Sequence, residues 1–170
     1  MWLSAAPPDG PPLVLLHGFI TTLVMWAPNI ADLSREYRVY AIDTMGQPSK
    51  SIREEPMADV EELVEWLDLT LTDLNLDRVY ITGMSTGAWI GLNYAMARPE
   101  RVLKLALLSP AASFQPLVKQ FMVRGMLSGV VRTRRMMNSL MGWMGLDSSD
   151  EFVEDLLDLM WAGGKHFRMP

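Results

Sequence analysis

The sequence predicts an α/β fold, a parallel sheet flanked by helices. Short apolar runs alternate with stretches of helical periodicity, the pattern left by helical crossovers between parallel strands. One run, Val79-Tyr80-Ile81-Thr82, passes through Gly83-Met84-Ser85-Thr86-Gly87 directly into a helix that begins Ala88-Trp89-Ile90. With 170 residues, the chain fits one domain and is long enough for a sizeable core.

Four parallel strands are expected, near residues 13–16, 39–43, 79–82 and 102–109, in the spatial order second, first, third, fourth. The first, Leu13-Val14-Leu15-Leu16, reads as a buried strand that ends in His17-Gly18-Phe19. The second, Arg38-Val39-Tyr40-Ala41-Ile42-Asp43, precedes the clearest helix. There Val60, Leu63, Val64, Leu67, Leu71 and Leu74 fall on one stripe, and Asp59 with Glu62 reads as a capping box behind Pro56. Glu61, Glu65, Asp68 and Asp73 make the other face, read as solvated. In the helix after the third strand, Gly87, Gly91 and Ala95 form a small-residue stripe that lets it approach the sheet closely. The fourth strand, Leu105-Ala106-Leu107-Leu108, follows Pro99-Glu100-Arg101-Val102.

The turn at 83–87 points to nucleophilic chemistry. A serine hydroxyl is a poor nucleophile unless it is presented without steric cover, beside donors for the oxyanion it creates. A sharp strand-to-helix turn does both: it projects Ser85 from the sheet and leaves N–H groups of the helix N-terminus unpaired beside it. A side chain at Gly83 or Gly87 would collide with the neighbouring strand or helix. Gly-x-Ser-x-Gly also arises by chance in ordinary loops, and the flanking strand and helix favour the catalytic reading. In serine hydrolases of this type the loop after the first strand carries a second oxyanion-hole N–H, here that of Phe19, facing that of Thr86. His17 lies upstream of the nucleophile at the strand end, and is read as holding the loop with Gly18 rather than as the general base.

These residues resemble the α/β-hydrolase family. Asp43 with Met45-Gly46-Gln47-Pro48-Ser49-Lys50-Ser51 looks like its Asp-x-x-Gly-x-x-x-Ser turn, and Leu105 to Pro110 is similar to the strand after its elbow helix. Met25-Trp26-Ala27-Pro28-Asn29-Ile30-Ala31-Asp32 and Leu108-Ser109-Pro110-Ala111 look most like bacterial carboxylesterases of this fold. The resemblance implies that Ser85 attacks an ester carbonyl, that the Phe19 and Thr86 N–H groups hold the oxyanion, and that water releases the acid from an acyl-serine. It implies a small-molecule ester with an apolar acyl or alkyl group, and no cofactor. The fold also hosts acyltransferases, epoxide and carbon–carbon hydrolases and haloperoxidases, so membership alone does not fix the reaction. Serine at the elbow disfavours the dehalogenase and epoxide hydrolase branches, which use aspartate there.

By the same resemblance the chain reads as an incomplete hydrolase. Triad partners in this fold follow in the order Ser, Asp or Glu, His. Nothing after Ser85 fits: the loop Ser109-Pro110-Ala111-Ala112-Ser113 has no acid, and the one downstream histidine, His166, sits in a polar tail. Met1-Trp2-Leu3-Ser4 leaves no room for the family's opening antiparallel strands. The isolated chain is therefore expected to be nearly inactive, with bare edges on both sides of the sheet that promote self-association. The alternative is a non-catalytic binding or partner protein that keeps the pocket without the machinery.

From Phe114 onward methionines, aromatics and basic residues intermingle, among them Phe121, Met122, Met126, Met136, Met137, Met141, Trp143, Lys119, Arg124, Arg132, Arg134 and Arg135. A basic amphipathic helix also suits a membrane surface or a calmodulin-like target; the position suits a cap over the nucleophile, with adaptable side chains as its pocket wall. Residues 1–112 are thus expected to form the core and 113–170 a helical cap. A further cap helix should turn Asp147, Asp150, Glu151, Glu154, Asp155 and Asp158 outward and Phe152, Val153, Leu156, Leu157 and Met160 inward. A net charge of −5 argues against nucleic acid, and the absence of cysteine excludes a disulfide framework or thiolate metal site. No His, Asp and Glu grouping has metal-ligand spacing, and no nucleotide-binding glycine motif is present. Met1 to Gly10 shows neither a basic n-region nor an apolar h-region, so no signal peptide is expected, and no apolar run approaches the ~20 residues of a membrane span; both fit the expectation of a cytoplasmic protein.

Overall fold

The computed structural model of the chain describes residues 2–5, 9–19, 21–44, 59–114, 118–131, 133–145, 150–151, 153–155 and 157–158. Its centre is β2 (Pro12–Leu16), flanked in parallel by β3 (Arg38–Ile42) and β4 (Val79–Met84), with β5 (Val102–Leu108) parallel to β4. The four parallel strands stand in the order expected from the sequence. Because successive side chains of a strand point to opposite faces, and both faces of this sheet are covered, those of β2 enter two different cores. Val14 and Leu16 join Tyr40, Ile42 and Ile81 on one face, and Leu13 and Leu15 join Val39 and Ala41 on the other.

A fifth strand corrects the expectation of a bare edge. Trp2–Ala5, β1, pairs antiparallel with β3, with Trp2 opposite Ile42 and Ala5 opposite Val39. The opening residues thus have room for an antiparallel strand after all. It needs only four residues because it zips onto the backbone edge of β3 and does not fold back on Leu13. An edge strand of this length is specified by vacant backbone partners on its neighbour, and Trp-Leu-Ser-Ala carries no alternation or turn signal to betray it.

Helices α2 (Val60–Asp73) and α3 (Thr86–Ala97) cover the first face, and the short α1 (Ala27–Leu33), with a 3₁₀ turn at Leu23–Trp26, covers the second. Asp59 caps α2, accepting the Glu62 N–H at 2.9 Å, and Val64, Leu67 and Leu71 are buried along the predicted stripe. On α3, a Cβ at Gly91 would lie 3.0 Å from Ile81 and 3.3 Å from Leu105 side-chain atoms, so the helix does ride close to the sheet. Helices α4 (Lys119–Val131) and α5 (Arg134–Trp143) pack on one another. Residues 151, 153–155 and 157–158 are helical; Val153 and Leu157 join Met137, Leu140 and Met141 in a small core, while Arg134 pairs with Glu154 and Asp158 outside it. Asp147, Phe152, Leu156 and Met160 lie outside the described side chains. Among the described residues no helix is long and apolar enough to cross a membrane.

Asp68 departs from the solvated face predicted for it. It accepts the Tyr94 hydroxyl at 2.7 Å and stands 3.5 Å from the Arg101 guanidinium, which also donates to the Leu76 carbonyl. This ties α2 to the C-terminal half of α3, away from Ser85. Burial, reinforced by the bond to Asp68, pushes the Tyr94 phenol well above its ordinary range. Tyr94→Phe should therefore cost about 1–2 kcal/mol, the lower part of the range for a charged hydrogen bond because Asp68 is partly wet. Urea denaturation would measure it.

Candidate active site

The order of the sheet reverses at β2: the chain leaves it for β3 on one side and later returns to β4 on the other. A crevice opens beyond the carboxyl ends of strands at such a point. Here the ends are Leu16, followed by His17-Gly18-Phe19, and Met84, followed by Ser85.

Ser85 is the N-cap of α3, but it does not behave as one. Its backbone sits at φ 52° and ψ −113°, and its side chain makes no capping hydrogen bond. Serine at this position normally turns its oxygen back onto the N–H of the first turn; the left-handed backbone denies it that geometry. Such a conformation costs roughly 1–3 kcal/mol and persists only where the surroundings enforce it. The enforcement is visible. The Ser85 N–H donates to the Leu108 carbonyl at 2.9 Å, and its own carbonyl accepts from Trp89 at 3.0 Å and Ala111 at 3.2 Å. Among the described residues the non-glycine positions with positive φ are Asn75, Ser85, Ser109 and Ala112, and three of the four meet at this junction.

Two glycines stand where the turn leaves no room for a side chain. A Cβ on Gly83 would lie 2.4 Å from the Gly87 carbonyl, and one on Gly87 would lie 2.3 Å from the Leu16 carbonyl oxygen. Backbone touches backbone at both points, so no rotamer change can relieve the clash. The Gly18 loop faces the turn: a Cβ on Gly18 would sit 3.6 Å from Ser85 Cβ. Phe19 follows, 53% exposed, and Thr86 opens α3, where first-turn N–H groups lack a carbonyl one turn back. The residues singled out from sequence, His17, Gly18, Phe19, Gly83, Ser85, Thr86 and Gly87, are thus brought to one place. His166 and the turn at 45–51 lie outside the described residues.

His17 is buried, and its ring bridges the Gly18 loop and the end of β3. The Thr44 N–H donates to Nε2 at 2.9 Å, which makes Nδ1 the protonated nitrogen, and Nδ1 donates to the Gly18 carbonyl at 2.8 Å. Burial lowers the His17 pKa from its ordinary 6.5, against the opposing pull of the Gly18 bond and of Asp43, whose Oδ1 lies 4.0 Å from Nε2. Asp43 meanwhile accepts the Leu23 N–H at 2.9 Å at the start of the 3₁₀ turn. Thr21 donates to the Gly18 carbonyl at 2.8 Å, and the Gly18 N–H points to the Met25 sulfur at 3.5 Å. Sequence reasoning assigned no role to Thr21, Thr44 or Asp43 at this loop. The usable signal was a threonine three residues after the glycine, within reach of its carbonyl.

The sequence profile of the alpha/beta hydrolase fold matches residues 11–139. The chain belongs to this family. Among relatives within it, an uncharacterized carboxylesterase, nap, of Bacillus subtilis is 40% identical over 119 residues, covering 70% of this chain and 40% of that protein. Carboxylesterase YbfK of the same organism is 36% identical over 112 residues, covering 66% of this chain and 38% of its own length. The crystal structure of naproxen esterase (carboxylesterase NP) from B. subtilis superposes with a TM-score of 0.89 at 30% identity, over 99% of this chain and 58% of that one. The chain thus spans about two fifths of the curated relatives it matches.

Two outcomes follow from this geometry. Gly87→Ala should destabilise the protein by about 3 kcal/mol, at the upper end of overpacking costs, because only backbone can yield; chemical denaturation would report it. For His17 the folded pKa is depressed, so its stabilisation is complete above pH 6.5 and is lost as pH falls from there through the lowered value. Each unit of depression is worth about 1.4 kcal/mol. Melting curves from pH 8 to pH 5 should show a steeper acid-side loss in wild type than in His17→Gln, which has no imidazole to charge.

Proposed function

We propose that this chain carries the nucleophile and oxyanion hole of a serine ester hydrolase. Ser85 attacks the ester carbonyl, giving its proton to the base; the Phe19 and Thr86 N–H groups hold the tetrahedral oxyanion, whose collapse expels the alcohol, and water then releases the acid from the acyl-serine and restores Ser85. The observation that carries the reading is the uncapped Ser85 side chain, held by a strained backbone at a helix N-terminus opposite the Gly18 loop. Support also comes from relatives named as carboxylesterases at 36–40% identity. The triad acid and base are proposed to lie in the part of such enzymes outside the matched region, because among the described residues after Ser85 there is no histidine to serve as base.

Residues 1–112 form the catalytic core in this proposal and 113–170 the cap. A hollow of about 320 Å³ lies wholly between α4 and α5, lined by Val123, Arg124, Leu127, Met136, Ser139 and Leu140. The cap is proposed to receive the acyl or alkyl group, although this hollow mixes four apolar side chains with Arg124 and Ser139, and Val123 and Leu127 are exposed. The proposed enzyme works on small esters in the cytoplasm without a cofactor, and the outer edge of β5, where Leu108 is 46% exposed, is the route by which the isolated 170-residue chain self-associates.

The test is hydrolysis of p-nitrophenyl butyrate and of a naproxen ester by protein expressed from the full natural reading frame. Turnover should fall about 10⁶-fold in Ser85→Ala, while the 170-residue chain alone should be nearly inert. Undiminished turnover in Ser85→Ala would overturn the nucleophile assignment. Full-length protein that folds but never turns over would favour a non-catalytic binding protein.

A further inference from the structure

Resting on the oxyanion role given to Phe19, we propose that Thr21 is a positioning residue for catalysis: it fixes the Phe19 N–H by gripping the Gly18 carbonyl of the same peptide plane. A peptide unit is planar, and in the trans form its C=O and N–H point in opposite directions, so pinning the oxygen aims the hydrogen. This peptide needs pinning. Gly18 has no Cβ to limit rotation about its own bonds, and Phe19 sits exposed at the loop tip.

Two side chains supply the hold. Thr21 Oγ1 and His17 Nδ1 each lie 2.8 Å from the Gly18 oxygen, and they are 7% and 1% exposed. Since Thr44 donates to the other imidazole nitrogen, both contacts are donated to the carbonyl and none competes for it. The Thr21 hydroxyl also lies 3.4 Å from the Met25 sulfur, but its single proton belongs with the nearer and harder oxygen acceptor. The backbone offers a poor substitute, because the Thr21 N–H reaches the same oxygen only at 3.4 Å. Loss of the hydroxyl leaves a buried carbonyl with one good donor, free to tilt toward another and carry the Phe19 N–H off its line.

Thr21→Val removes the hydroxyl and keeps the shape; Thr21→Ser keeps the hydroxyl and loses a methyl. In full-length protein, Thr21→Val should lower kcat about 10- to 100-fold with KM within about twofold, the pattern of a group that acts on the transition state alone. Thr21→Ser should recover to within about threefold of wild type. A trifluoromethyl ketone, which forms an oxyanion on the serine, should lose affinity for Thr21→Val by the same factor as kcat/KM. Should valine prevent folding, Thr21→Ala carries the same expectations. Turnover in the hydroxyl-free variant within twofold of wild type, unchanged ketone affinity, or no recovery in Thr21→Ser would each overturn the proposal. Ser85→Ala separates the two readings: if it is inactive while Thr21→Val is undiminished, only the Thr21 role fails, and if Ser85→Ala is active both fail.

Discussion

The first turn of α3 lies so close to the carboxyl ends of β2 and β4 that neither Gly83 nor Gly87 has room for one methyl group, and the geometry around Ser85 follows from that contact. With the helix backbone resting on the Leu16 carbonyl, the chain has one residue in which to pass from strand to helix. That residue takes a left-handed backbone, and its side chain is thereby removed from the capping role a serine would otherwise fill. The strain and the uncapped hydroxyl are two results of one packing distance.

The strain is balanced locally. Three backbone hydrogen bonds hold the Ser85 peptide groups, and at about 1 kcal/mol each they match the roughly 1–3 kcal/mol of an unfavourable backbone. One of them reaches the end of β5 and another the loop after it, so the outer strand contributes to the site without lending it a side chain. Across the crevice the Gly18 loop is organised differently, by side chains: His17 links it to Thr44 beyond β3, and Asp43 ties the same strand end to the 3₁₀ turn. The two halves of the site therefore respond to different perturbations, one to added volume and the other to protonation.

What could be read from the sequence was whatever is encoded over short distances. The leucine and valine stripe of α2, its Asp59 cap and the glycine spacing of the turn each need only local rules, and the strand order follows from connection rules applied to four apolar runs. Polar contacts between distant segments were beyond that reach. Asp68 looks solvated to any argument about the faces of its own helix, because Tyr94 arrives from 26 residues away. The imidazole of His17 likewise meets a backbone N–H 27 residues on, so its role in the loop could be inferred but its partner could not. Strand β1 escaped for another reason: an edge strand is chosen by its neighbour's free backbone, and four residues leave no pattern.

The separate core of the α4–α5 region bears on how such a protein changes over time. Met137, Leu140, Met141, Val153 and Leu157 pack among themselves and share no member with the two clusters at the sheet. At the sheet, α3 is fixed at both ends, by backbone contact at Gly87 and by Tyr94 on Asp68, which leaves little freedom for drift. Substitutions in the helical region can accumulate without moving the serine turn, so variation and precision are housed in different parts of one chain. A library confined to residues 118–143 would sample new shapes in the helical half while the backbone contacts of the serine turn stay as they are.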